Sequence, residues 1–212
     1  MSIKRCIIPS VGFLIALICF IINSIVNGYD MALMFQVLGC HALLFLMPLY
    51  ELIFKKKFPL VLSAIITIHT ICSLVCGTMF DFYEKIKWWD LFLHGSFGFY
   101  ACFVAYYFYI LCNAKSSKPF LYISYITGFS MGLAAMWEIL EYSCDRILGT
   151  DLQRVGESIM YGKVPVADTM EDLIITLVGV LVFFLVNIID KKLGSKFMNF
   201  YVKEIETQNV KD

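Results

Sequence analysis

Apolar residues in this chain form long runs broken by short polar stretches, without the two-residue alternation of strands or the half-polar wheel of a soluble helix. A spanning helix needs about 20 mostly apolar residues to cross a hydrocarbon core of roughly 30 Å. Stretches of that length lie at 6–27, 31–54, 59–80, 88–112, 119–144 and 167–190. The expected fold class is therefore all-α, a polytopic transmembrane helical bundle of about six spans forming one integral membrane domain over 1–212, with 191–212 as a cytoplasmic tail. Short connections make sequential spans antiparallel neighbours. Between the fifth and sixth spans, Leu148, Leu152, Val155 and Ile159 recur at i, i+4, i+7 and i+11, with Asp151, Arg154 and Glu157 elsewhere on the wheel. That spacing predicts a short interfacial helix over the outer mouth of the bundle, ended by Gly162 and Pro165; an irregular loop is the alternative.

Composition agrees with a bilayer setting, because 60% of residues are hydrophobic and only 16% charged, too few to wet the surface of a soluble core. The 17 basic and 17 acidic residues cancel, so no overall field argues for nucleic acid as a partner. Their distribution is more telling. Lys4 and Arg5, Lys55 to Lys57, Lys115 and Lys118, and Lys191, Lys192 and Lys196 fall at alternate span ends. The positive-inside rule places those ends, and both termini, in the cytoplasm. The opposite ends carry Asp30, the Asp81–Lys87 turn and the 145–166 loop, where acids outnumber bases. Tyr83, Trp88 and Trp89 suit an outer headgroup belt. The eight cysteines lack zinc or disulfide spacing and are expected to fill space between helices. The Val11–Ile22 run after Lys4 and Arg5 lacks a small-x-small cleavage site and is expected to stay as the first span.

Against this apolar background, three sets of ionisable residues stand out. Asp90 and His94 are i, i+4 near the start of the fourth span; Glu138, Glu141 and Asp145 are i, i+3, i+7 near the end of the fifth; Asp168 and Asp172 are i, i+4 at the start of the sixth. Such spacings keep each set on one helix face. The alternating topology brings all three to similar depth near the extracytoplasmic face, so one cluster is expected. Facing carboxylates need a cation between them: a metal ion, bound protons, or a basic group from loop or substrate. Carboxylates with one imidazole suit a divalent metal such as zinc, magnesium or manganese. Asp90, His94, Asp168 and Asp172 are the candidate metal ligands, and Glu138 and Glu141 the candidate catalytic proton-transfer groups. As alternatives, Asp168 would cap the sixth helix with Glu171 as capping-box partner, and Asp90 and Asp145 would be helix-end residues reaching water. His41 is expected to hydrogen-bond a neighbouring helix, and His69 either does the same or joins the cluster. Gly128 and Gly132 predict close packing of the fifth helix, as Gly95 and Gly98 do for the fourth.

The run Asp90-x-x-x-His94-x-x-x-Gly98, Trp137-Glu138-Ile139-x-Glu141 and Asp168-Thr169-x-x-Asp172-Leu173 leading to Gly179 resembles the YjdF-like bacterial inner-membrane proteins. More distantly, the Glu and Asp-x-x-x-Asp-plus-Gly elements resemble VanZ-like proteins. The likeness covers roughly 81–187; Thr176 stands where such proteins often carry Asn. It implies a multi-pass protein of the bacterial cytoplasmic membrane and brings little mechanism with it.

Three functions fit the pattern. One is a metal-assisted enzyme acting on a lipid or lipid-linked envelope substrate, with the 145–166 segment as a lid. A second is a small proton- or cation-coupled transporter, against which stands the lack of an inverted repeat. A third is a non-catalytic membrane accessory protein whose acidic cluster only orients helices.

Overall fold

A computed structural model describes residues 4–114 and 118–209, apart from the side chains of Lys4, Arg5 and Gln208. Lys115 and the side chains of Lys4 and Arg5, which the topology argument used, lie outside the described residues. The fold is all-helical, and among the described residues six helical stretches are long and apolar enough to cross a membrane: Cys6–Asn27, Met31–Phe54, Leu60–Met79, Trp89–Leu111, Pro119–Leu148 and Ala167–Lys192. The helices are α1 (Lys4–Asn27), α2 (Met31–Leu44), α3 (Leu46–Phe54), α4 (Leu60–Ile71), α5 (Phe82–Lys85), α6 (Trp89–Leu111), α7 (Pro119–Leu148), α8 (Val155–Met160), α9 (Ala167–Lys192) and α10 (Lys196–Asn209).

Local chemistry explains the breaks. Asp30 caps α2 by accepting from the N–H groups of Ala32 at 2.8 Å and Leu33 at 3.2 Å. The second span bends at Phe45, between α2 and α3, with Pro48 just beyond, which has no N–H to continue the ladder. In the third span α4 runs on as a π-helix, Cys72–Met79, where the wider turn ends with the Phe80 N–H bonded to the Val75 carbonyl at 2.9 Å.

The chain divides into two compact units, Met1–Trp89 with Asn199–Asp212, and Asp90–Met198. In the first, Ala16, Phe20, Leu33, Val37, Val75 and Met79 from α1, α2 and the π-helical turn form a buried cluster. Gly77 leaves room for the ring of Tyr83, whose hydroxyl meets Ser73 at 2.9 Å. The stretch after the sixth span, expected as a cytoplasmic tail, forms α10, whose Tyr201, Ile205 and Asn209, four residues apart, are all buried. Asn209 accepts from the Lys57 N–H at 2.5 Å and donates to the Lys57 carbonyl at 3.0 Å, while Glu204 accepts from the Leu60 N–H at 3.1 Å.

In the second unit α6 and α9 touch backbone to backbone. A Cβ on Gly98 would run into the Thr176 carbonyl, and one on Gly179 into the Gly95 carbonyl. Phe103 and Phe183 pack edge to face beyond that contact, with ring centroids 4.9 Å apart. The close packing expected of Gly95 and Gly98 is present; that expected of Gly128 and Gly132 is not. Both of the latter are exposed, and a Cβ on either would meet nothing within 4 Å. The buried face of α7 is instead Ile126, Ser130, Ala134 and Glu138, one residue every fourth position.

The segment after α7 also departs from expectation. α7 runs on to Leu148, and Gly149, at φ 70°, ends it in the left-handed conformation a glycine tolerates. Only Val155–Met160 then forms a helix, so the predicted stripe is split among α7, a turn and α8. Ile159 is exposed, and Ser158 is the residue of α8 that is buried.

Candidate functional site

The starts of α6 and α9 and the end of α7 carry the polar residues of the second unit. Asp90 lies in the first turn of α6, where free N–H groups favour a carboxylate, and His94 follows one turn later on the same face. The Gly98–Thr176 contact sets α9 against that face, and the Thr176 hydroxyl donates to the His94 carbonyl at 3.3 Å. One turn before Thr176, Asp172 comes opposite the imidazole. His94 Nε2 is 3.6 Å from Asp90 Oδ1 and 3.7 Å from Asp172 Oδ2. One ligand atom from each of the three residues falls within 4.8 Å of the others.

Burial makes this group unusual. The Asp172 side chain is 2% exposed and its Oδ2, the oxygen facing His94, has no hydrogen-bond partner. Glu138, the last residue of the buried face of α7, is 6% exposed and likewise has one orphaned oxygen, Oε2. Its carboxylate also bonds Thr169 and Gln153, and Gln153 Nε2 donates to Thr169 Oγ1 at 3.0 Å. A buried acceptor without a donor loses its hydration for nothing in return, so each of these two oxygens calls for a partner, whether a cation, a proton or a water.

The wider cluster includes Glu141 and Asp168, both within electrostatic range of Asp90 and Glu138. Glu141 accepts from the Trp137 indole on its own helix at 2.8 Å. Asp168 is half-buried and does not belong to the converging trio. Nor does it cap α9: the capping position is Val166, and Glu171 pairs with Lys163 at 2.8 Å instead of closing a capping box. Asp145 has left the cluster for a structural task. Its carboxylate accepts from Thr150 Oγ1 at 2.6 Å and from the N–H groups of Leu152 at 2.7 Å and Gln153 at 3.1 Å, fixing the turn after α7.

Sequence reasoning left open a basic group from the loop without saying which. It is Arg154, whose Nη1 lies 3.5 Å from Asp90 Oδ2 and whose Nη2 pairs with Glu157. Burial alone would lower the Arg154 pKa; the carboxylates of Glu157, Asp90 and Asp168 outweigh it and hold the guanidinium above its usual value. Its backbone is left-handed at φ 48°, an uncommon state for a residue with a side chain, and the surrounding ion pairs hold it there. The 149–163 strap is further tied down at Lys163, whose bond to Glu171 raises the lysine pKa. No periodicity in the sequence marks Arg154 out, because a turn rather than a helix aims it.

His41 lies in the first unit, bonded through Nδ1 to the Val37 carbonyl of its own helix at 2.7 Å and packed on Phe13. That corrects the expected bond to a neighbouring helix. His69 is in α4, also in the first unit.

A membrane-spanning helical bundle with a buried carboxylate and histidine cluster is thus the class of protein these features define. The family described as "Predicted membrane protein (DUF2238)" matches residues 9–192, and the chain belongs to that family. It is also similar to an uncharacterised protein of Thermotoga maritima, 32% identical over 140 residues, which are 61% of this chain and 63% of that protein. The chain thus spans less than two thirds of the length of that relative. No solved structure matches.

Proposed function

We propose that this protein is a membrane enzyme that holds a divalent cation between Asp90, His94 and Asp172 and acts on a lipid or lipid-linked substrate. The observation that carries the reading is that one donor atom from each of the three residues lies within 4.8 Å of the others, while Asp172 Oδ2, beside His94, has no hydrogen-bond partner. Two of the three donor separations, 3.6 and 3.7 Å, approach the roughly 3.4 Å edge of a tetrahedron with metal bonds near 2.1 Å. Three oxygen and nitrogen donors leave a coordination position open, as catalytic sites do and closed structural sites do not. A cation there supplies Lewis-acid polarisation of a phosphoryl or carbonyl oxygen. We assign to Glu138, within electrostatic range of Asp90 and Asp172 and with one oxygen lacking a partner, the role of accepting a proton from an attacking water and returning it to a leaving group. Arg154 holds Asp90 from its far side and keeps its Oδ1 turned to His94.

The positive-inside argument puts both termini in the cytoplasm and the cluster near the extracytoplasmic face, in reach of an envelope lipid. The YjdF-like resemblance accords with the family membership. The test is elemental analysis of the purified chain. About one equivalent of a divalent transition metal or magnesium per chain is expected, lost in Asp172→Asn; a metal-free protein that takes up none on dialysis overturns the proposal.

A further inference from the structure

The docked helix α10 has a second face. Lys196, Phe200 and Lys203 follow one another at i, i+4 and i+7, on the side opposite buried Tyr201, Ile205 and Asn209. Phe200 is 63% exposed, and Phe197, edge-on to Phe103, still exposes 48%. Before it, at the end of α9, come the exposed Lys191, Lys192 and Leu193. We propose that this face docks on the anionic phospholipid headgroups of the membrane that the spans cross. The proposal stands apart from the cation site.

Two features select this occupant. The first is continuity. α10 begins after a turn of three residues beyond a membrane-crossing helix, and Asp190 clamps the corner by accepting from the N–H groups of Phe197 and Met198, each at 3.0 Å. The helix thus starts just beyond the end of one span, and its far end is bonded to Lys57, three residues before the start of another, which supports a place in the headgroup layer. The second is charge. Lys196 and Lys203 flank Phe200 on one face of α10, and Lys191 and Lys192 precede it in the chain; of the acids on α10, Glu204 is turned to the Leu60 N–H and Glu206 is exposed. Lysine beside aromatic rings on one helix face is the pattern that binds an anionic interface.

The test uses Phe200→Trp in the full chain reconstituted into vesicles, with unsubstituted protein subtracting the emission of Trp88, Trp89 and Trp137. The added emission should be quenched several-fold more strongly by brominated phosphatidylglycerol than by brominated phosphatidylcholine in mixed vesicles. Replacing Lys191, Lys192, Lys196 and Lys203 by glutamine should bring the two to parity. Equal quenching of the lysine-bearing protein by both lipids overturns the anionic choice. No quenching by either, with the tryptophan open to aqueous acrylamide or shielded by protein, overturns the lipid surface itself.

Discussion

His41 and His94 are both histidines inside apolar helices, and they end in different situations. His41 is 1% exposed, donates through Nδ1 to the Val37 carbonyl of its own helix and lies on the ring of Phe13. His94 has an aspartate on either side, one from its own helix and one from α9. Both side chains are largely buried, that of His94 with 13% exposed, so burial alone does not mark a site. What separates them is the neighbouring element: His94 faces a helix brought within backbone contact that carries a carboxylate one turn from the touching point, and His41 faces aromatic packing. An intramembrane ionisable group is a candidate for chemistry when the fold supplies it with a partner that also lacks its own.

The widest gap between the two should be in cation binding. His94→Ala is expected to weaken divalent-metal affinity at least a hundredfold, about 3 kcal/mol, by equilibrium dialysis, while His41→Ala leaves it unchanged. Equal losses in both would erase the distinction. Stability should run the other way. His41→Ala empties a packed position and discards the bond to Val37, so it should lower unfolding free energy in detergent by about 2 kcal/mol, with His94→Ala costing less than half of that. A smaller effect sharpens the contrast among carboxylates. Asp145→Asn should lose about 1 kcal/mol of stability by weakening the turn after α7 and leave bound metal untouched, although Asp145 shares a helix with Glu138. Metal loss in this variant would return Asp145 to the cluster.

The spans were legible because runs of about 20 apolar residues have few other uses, and the pairs Asp90 with His94 and Asp168 with Asp172 were legible because helical spacing fixes their face. What lay hidden depends on partners distant in sequence. Gly128 and Gly132 carry the same small-residue signal as Gly95 and Gly98, yet only the latter pair meets another backbone. Spacing says where a helix can be approached; the rest of the fold decides whether it is. Arg154 was placed on the polar side of a helix that does not form there, because Gly149 ends α7 and Asp145 organises the residues that follow. The helix α10 did leave a trace, the four-residue rhythm of Tyr201, Ile205 and Asn209, masked by the polar residues between them.

The meeting of Gly98 with Thr176 has a mechanical meaning. The pivot between the two helices sits one turn from His94 on one side and from Asp172 on the other, a lever of only about 6 Å. A rocking of about 10° then changes the gap between imidazole and carboxylate by roughly 1 Å, whereas the same motion at the far ends of α6 and α9 would be several times larger. The imidazole and the carboxylate stand close to the point where the two backbones touch, so the gap between them is nearly fixed, and on the proposed reading a cation held there would be selected by its size.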